Sequence, residues 1–171
     1  MFAITAPLKL LTLVTAKMGI HNIPAYHVLA LTEVIMVYCF YSRLAFRKVY
    51  LQGVLLLAAL NVGISLFLQP VSTFNSIGWT LDMLVLLTIG ILYLFHLYND
   101  ESDQSPLEQR PVFMITTAWL LYAAGSLFTY LMGTSILSGK AEGFFHNAWL
   151  FQCVSNLFKN LLIAYALWRQ R

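Results

Sequence analysis

Residues 77–98 read IGWTLDMLVLLTIGILYLFHLY, an almost unbroken apolar run in which Asp82 is the one charged side chain. A helix rises about 1.5 Å per residue, so this run is long enough to cross the roughly 30 Å hydrocarbon core of a bilayer. The run shows no two-residue alternation, which disfavours the strand of a membrane barrel, and lipid otherwise permits only helices. This stretch therefore predicts a transmembrane α-helix.

The composition of the whole chain points the same way. Of its 171 residues 60% are apolar and only 10% are charged, whereas a soluble domain carries roughly 25% charged residues. So few charges cannot cover a water-facing surface, and the composition excludes a disordered chain, a fibrous repeat and a disulfide-rich secreted module. The chain has no basic run with interleaved aromatic residues, so no nucleic-acid partner is predicted.

Other apolar runs extend this prediction to a polytopic bundle. Pro24 and Pro111 stand at the starts of two of them, where a missing N–H costs a helix least. The run at residues 2–18 is barely long enough and contains lysines, so it either spans the bilayer or lies on its surface. We predict an all-α, single-domain transmembrane bundle over residues 1–171, with six helices if the first run spans. The predicted segments are Phe2–Met18, Pro24–Phe46, Val49–Gln69, Ile77–Tyr98, Val112–Met132 and Phe144–Trp168.

The distribution of basic residues predicts the orientation of the bundle. Lys and Arg near the ends of spans concentrate on the cytoplasmic side, and acidic residues weigh little in this rule. With six spans, one side carries six basic residues near span ends and the other carries two, so the C-terminus is predicted to be cytoplasmic. The first set is Arg43, Arg47, Lys48, Arg110, Arg169 and Arg171, and the second is Lys17 and Lys140.

Three ionisable residues stand out at bilayer depth inside the predicted spans: Glu33, Asp82 and Lys159. Each costs about 2.5–3.5 kcal/mol to insert, so each needs a partner or water. In the last segment Lys159 shares an arc of about 140° with four other polar residues, and such an arc is expected to face the bundle interior. We expect Lys159 to form a buried ion pair with Glu33, which has the more similar depth of the two carboxylates. The other members of the arc are Gln152, Ser155, Asn156 and Asn160.

Asp82 belongs to a second polar stripe, because Tyr93 and His96 follow it at near-helical spacing. The stripe is either a chain of groups that carries protons or the packed, hydrogen-bonded side of a helix. His27 lies six residues before Glu33, which does not fit the spacing of a metal-binding pair. The chain has none of the motifs HExxH, GxSxG, GxGxxG or the phosphate-binding P-loop. No catalytic residue and no metal site is therefore predicted, and the sequence names no cofactor.

Two stretches of the sequence resemble segments of known membrane proteins. Residues 22–41, NIPAYHVLALTEVIMVYCFY, resemble the opening of a helix in a group of uncharacterised bacterial multi-pass inner-membrane proteins, with Asn22, Tyr26, His27 and Glu33 in the shared positions. The resemblance implies an integral inner-membrane protein and no particular activity. Members usually carry a further helix before this point, and this chain departs from that pattern, with six predicted helices against their seven. The last segment, residues 147–168, is similar to theirs at Trp149, Asn156, Asn160 and Trp168.

Three functions remain open from the sequence. Short loops and the lack of a catalytic constellation favour a non-enzymatic accessory subunit or sensor-like module of a larger membrane complex, with a protein partner or a second copy of the chain. Glu33, Asp82 and Lys159 at membrane depth would instead suit a small proton- or ion-coupled transporter. His27, Glu33 and Asp82 near the outer face would suit an intramembrane enzyme that acts on a lipid. Dry packing around these residues favours the first function, and an open cavity lined by them favours the others.

Overall fold

The computed structural model describes residues 14–15, 17–18, 23–44, 48–68, 73–100, 105–133, 135 and 147–169. Within these ranges the chain is helical, with no strand, and the all-α prediction is confirmed there. The described elements are α1 (Ile23–Ser42), α2 (Lys48–Phe67), α3 (Ser76–Tyr98), a short 3-10 helix (Leu107–Gln109), α4 (Pro111–Leu131) and α5 (Ala148–Trp168).

The first four of these α-helices begin within one residue of the predicted starts, because apolar runs and start signals are local features of the sequence. Pro111 occupies the first turn of α4, where its fixed φ suits the helix. The last helix begins at Ala148, and residues 144–146 of the predicted segment lie outside the described residues. The predicted first span, residues 2–18, also lies outside them apart from four positions, so the sixth helix stays a prediction.

Three helices are long and apolar enough to cross a membrane, namely α3, α4 and α5. They contain 23, 21 and 21 residues, which corresponds to lengths of about 31–35 Å. Within α1, residues His27–Ser42 form a shorter apolar helix.

The chain divides into two compact units, residues 1–82 and residues 83–171. The first unit contains α1, α2 and the first turns of α3, and α1 packs against α2. The second contains the rest of α3, the 3-10 helix, α4 and α5. The single-domain organisation stays a prediction.

In the second unit α4 and α5 form an antiparallel pair with a close crossing. A Cβ atom added at Gly125 of α4 would stand 2.9 Å from the Cβ of Ser155 of α5. Near one end of the pair, Thr129 Oγ1 donates a hydrogen bond of 2.9 Å to the carbonyl of Ala148. Residue numbers thus rise along α4 as they fall along α5, and Gly125 lets the two backbones approach.

Two arginines lie at the opposite end of this pair. Arg110 Nε and Nη2 donate to the carbonyl of Ser105 at 3.2 and 3.1 Å, and its Nη1 donates to the carbonyl of Leu97 at 3.4 Å. Arg169, just after α5, donates from Nη1 to the carbonyl of Glu108 at 3.3 Å. Arg110 and Arg169 therefore lie at the same end of the second unit, as the predicted topology requires of them.

Candidate functional site

A buried polar site lies in the first unit, and we call it the amide–carboxyl cluster: Asn61, Asn75, Gly78 and Asp82. Asp82 on α3 is 2% exposed. Its Oδ1 accepts a hydrogen bond from Nδ2 of Asn61 on α2, and the same Nδ2 donates to the carbonyl of Gly78 at 3.2 Å. Both N–H groups of the Asn61 amide can thus be used inside the cluster, which ties α2 to the start of α3.

Asn75 enters the cluster as the N-terminal cap of α3. Its Oδ1 accepts a hydrogen bond of 3.0 Å from the backbone N–H of Gly78, three residues on, which satisfies one of the free donors of the first helical turn. Gly78 has no side chain to separate the amides, and a Cβ there would contact the side chains of both Asn75 and Asn61. The cluster therefore depends on glycine at this position.

Glu33 and His27 of α1 belong to the same unit. The carboxyl groups of Glu33 and Asp82 lie close enough within this unit to repel each other when both are ionised. His27 Nε2 lies 3.1 Å from the carbonyl oxygen of Thr73, a hydrogen bond if this nitrogen carries the proton. The Nδ1 atom of His27 and the Oδ2 atom of Asp82 are buried and have no hydrogen-bond partner in the described part of the chain.

The second polar site lies between α4 and α5, and we call it the lysine–tyrosine cluster: Tyr122, Tyr130, Gln152 and Lys159. Lys159 is 8% exposed, and its Nζ lies 3.7 Å from the centroid of the Tyr122 ring, in the position of a cation–π contact. The hydroxyls of Tyr122 and Tyr130 are 3.3 Å apart, and Gln152 Nε2 donates to the Tyr130 hydroxyl at 3.1 Å. The cluster joins α4 and α5 through polar side chains.

The remaining predicted residues are dispersed. Asn156 is half-buried, and its Oδ1 is buried without a hydrogen-bond partner among the described residues. Asn160, which we expected on the inward-facing arc, is exposed, because it lies at the edge of the 140° arc and one 100° step from Lys159. Tyr93 is buried and His96 is exposed, with their ring centroids 6.0 Å apart. Tyr93 is eleven residues from Asp82, or about 16 Å along the helix, so proton transfer along this stripe would need further groups between them and stays a prediction.

Sequence reasoning missed Asn75, Tyr122 and Tyr130 as members of polar sites. An asparagine immediately before an apolar run is a recognised start signal, and Asn75 could have been found from it. Tyr122 and Tyr130 differ by eight residues, which places them on neighbouring faces of α4, but nothing local marks their hydroxyls as partners of Gln152. The ion pair predicted between Glu33 and Lys159 would join the two units, and it stays a prediction.

A cavity in the second unit is lined by residues that belong to neither cluster. It has a volume of about 250 Å³ and is lined by Gly125, Phe128, Thr129, Ala148 and Phe151. The one hydroxyl in this lining, on Thr129, is already bonded to the carbonyl of Ala148. The lining is therefore apolar, and it contains no acid, base or nucleophile.

Comparison of the chain with models of known families, with curated proteins and with solved structures gives no match.

Proposed function

We propose that this chain is a multi-pass protein of the bacterial inner membrane that serves as a non-enzymatic accessory subunit or sensor-like module of a larger membrane complex. The observation that carries the proposal is that two ionisable side chains are buried in contacts with side chains of neighbouring helices. Asp82 is buried and bonded to Asn61, and Lys159 is buried against the Tyr122 ring. Polar groups in such closed contacts act as connections between helices.

The membrane location is supported by the three long apolar helices and by the apolar side chains exposed along them, such as Phe95 on α3, Leu121 on α4 and Leu157 on α5. An orientation with the C-terminus in the cytoplasm is supported by Arg110 and Arg169, which lie at one end of the second unit. Basic residues at span ends favour the cytoplasmic side.

A small proton- or ion-coupled transporter is the second candidate, because the carboxyl groups of Glu33 and Asp82 would repel each other if both were ionised. No Lys or Arg occurs between residues 49 and 109, so no basic residue in α3 or the greater part of α2 offsets them. An exchangeable proton or cation would relieve their repulsion. The lipid-acting enzyme requires Asp82 to be reachable from lipid, and the burial of Asp82 disfavours it.

Membrane extraction and a C-terminal reporter test the first part of the proposal. The chain is expected to remain in the membrane pellet after alkaline carbonate washing, and green fluorescent protein fused after Arg171 should fluoresce while alkaline phosphatase fused there should be inactive. Release of the chain by carbonate would contradict the membrane location.

Reconstitution separates the two candidate functions. A subunit should purify in mild detergent with a stoichiometric companion and drive no ion flux in proteoliposomes. Proton or cation flux by the chain alone, abolished by Asp82→Asn and retained by Asn160→Gln, would favour the transporter instead.

A further inference from the structure

An exposed stripe on α5 has the spacing of a two-helix contact. Its residues are separated by four, three, four and three positions, and this mean step of 3.5 residues keeps them within an arc of about 80°. All five are exposed; the two leucines are 58% and 45% exposed. We call these residues the heptad stripe: Cys153, Leu157, Asn160, Ala164 and Leu167.

The heptad stripe is distinct from the face through which α5 packs on α4. That packing face holds Lys159, Ile163 and Ala166, which are buried, and its centre lies more than 100° around the helix from the stripe. In the 18-residue apolar stretch of α5, only 17% is buried inside the protein, against 44% in the corresponding stretches of α3 and α4. Within the second unit α5 therefore packs through one face, and the heptad stripe lies on another, exposed face.

Asn160 at the centre of the heptad stripe points to what that partner is. It lies twelve residues from the start of α5 and eight from its end, so it falls well inside a span. Its side-chain amide makes no hydrogen bond within the described part of the chain, and an amide that faces hydrocarbon without a partner is costly. The amide carries a donor and an acceptor, so two copies of Asn160 related by a twofold axis satisfy each other.

We propose that the heptad stripe is the interface through which two copies of this chain associate, with Asn160 of each copy hydrogen-bonded to Asn160 of the other. The proposal rests on the membrane location proposed above, because insertion gives both copies the same orientation and makes the two α5 helices parallel. In a parallel twofold pair each residue of the stripe lies beside its own counterpart. A single asparagine in such a stripe also sets the register of the two helices.

Cysteine cross-linking tests this geometry, because the stripe contains Cys153. In full-length protein with Cys39→Ser, oxidation of native membranes with copper phenanthroline should produce a disulfide-linked dimer through Cys153. The matched control removes Cys153 and carries Val154→Cys, an exposed position one residue along and 100° away, and it should yield little dimer. Dilution with an excess of cysteine-free chains should reduce the Cys153 product in proportion.

The role of Asn160 is tested in the same background. Asn160→Leu should lower the cross-linked fraction by about fivefold, and Asn160→Gln, which keeps an amide, should restore most of it. Equal dimer yields from positions 153 and 154, or a yield unaffected by Asn160→Leu, would overturn the proposed interface. A chain that resists carbonate extraction but gives no Cys153 dimer would overturn this inference alone, whereas a chain released by carbonate would overturn the membrane location itself.

Discussion

Single residues in this protein act by permitting or blocking contact between polar groups. Gly78 is an example, because the amides of Asn61 and Asn75 occupy the space that a side chain would need. Asp82 depends on the same arrangement, since its bond to Asn61 requires the Asn61 amide to lie close to α3. A buried carboxyl group that loses its donor bears the cost of its burial without compensation.

We expect Gly78→Ala to destabilise the protein by about 1–3 kcal/mol. The added Cβ would lie 2.6 Å from Asn61 Oδ1 and would also displace the Asn75 side chain. Thermal unfolding in detergent, followed by far-ultraviolet circular dichroism, measures the effect. Gly63→Ala is the matched control on α2: nothing lies within 4 Å of its added Cβ, so it should be neutral or stabilise by about 0.5–1 kcal/mol. A Gly78→Ala variant as stable as Gly63→Ala would show that the cluster does not hold α2 to α3.

At the scale of helices, the pair of α4 and α5 depends on a close crossing at Gly125 and on hydrogen bonds toward one end. Apolar attraction between helices is weak in lipid, because lipid tails offer equivalent contacts. Close backbone approach and polar side chains must then supply the association. Gly125 permits the close backbone approach, and Thr129 and Gln152 supply the polar side chains that form hydrogen bonds between the helices.

We expect Gly125→Ala to separate α4 from α5 and to lower the unfolding free energy by about 1–3 kcal/mol. The reason is its contact with Ser155, whose Cβ would lie 2.9 Å from the new methyl group. Adding Ser155→Gly should recover part of this loss, because it removes the atoms that clash. Urea or detergent unfolding of the single and double variants measures both effects. If Ser155→Gly adds its own cost and recovers nothing, the crossing does not occur at these residues.

At the scale of the whole molecule, the ionisable residues of the apolar helices are divided between the two units. Glu33 and Asp82 belong to the first unit and Lys159 belongs to the second. A lysine buried at membrane depth, as Lys159 is proposed to be, is costly even beside an aromatic ring. Pairing with Glu33 remains the arrangement predicted from similar depth in the membrane.

A double-mutant cycle measures this pairing. Lys159→Met and Glu33→Gln should each lower stability, and the double variant should be more stable than the sum of the single effects predicts by about 0.5–3 kcal/mol. Lys159→Arg, which retains the charge, is the control for loss of bulk. Strictly additive effects would exclude the pair and leave the Tyr122 ring as the principal contact of Lys159.

The helices and the starts of the first four of them follow from the sequence alone, whereas α1 ends at Ser42, four residues before its predicted end. Apolar runs of about 20 residues, with Pro24 and Pro111 at the starts of two of them, specify α1 to α5 because helix formation and burial length are local properties. The positions of Glu33, Asp82 and Lys159 were equally visible in the sequence. Each interrupts an apolar run, and an ionisable residue inside such a run is costly to insert into a membrane. The residues that need partners were therefore identifiable without coordinates.

Only the tertiary structure decided which partners those residues have. Asp82 bonds to Asn61, Lys159 lies over Tyr122, and Asn160 is exposed at the edge of its arc. These outcomes depend on the rotation of each helix about its axis and on its height beside its neighbour. Both are set by packing across helices, at Gly78 and Gly125 above all, and no periodicity within a single helix specifies them.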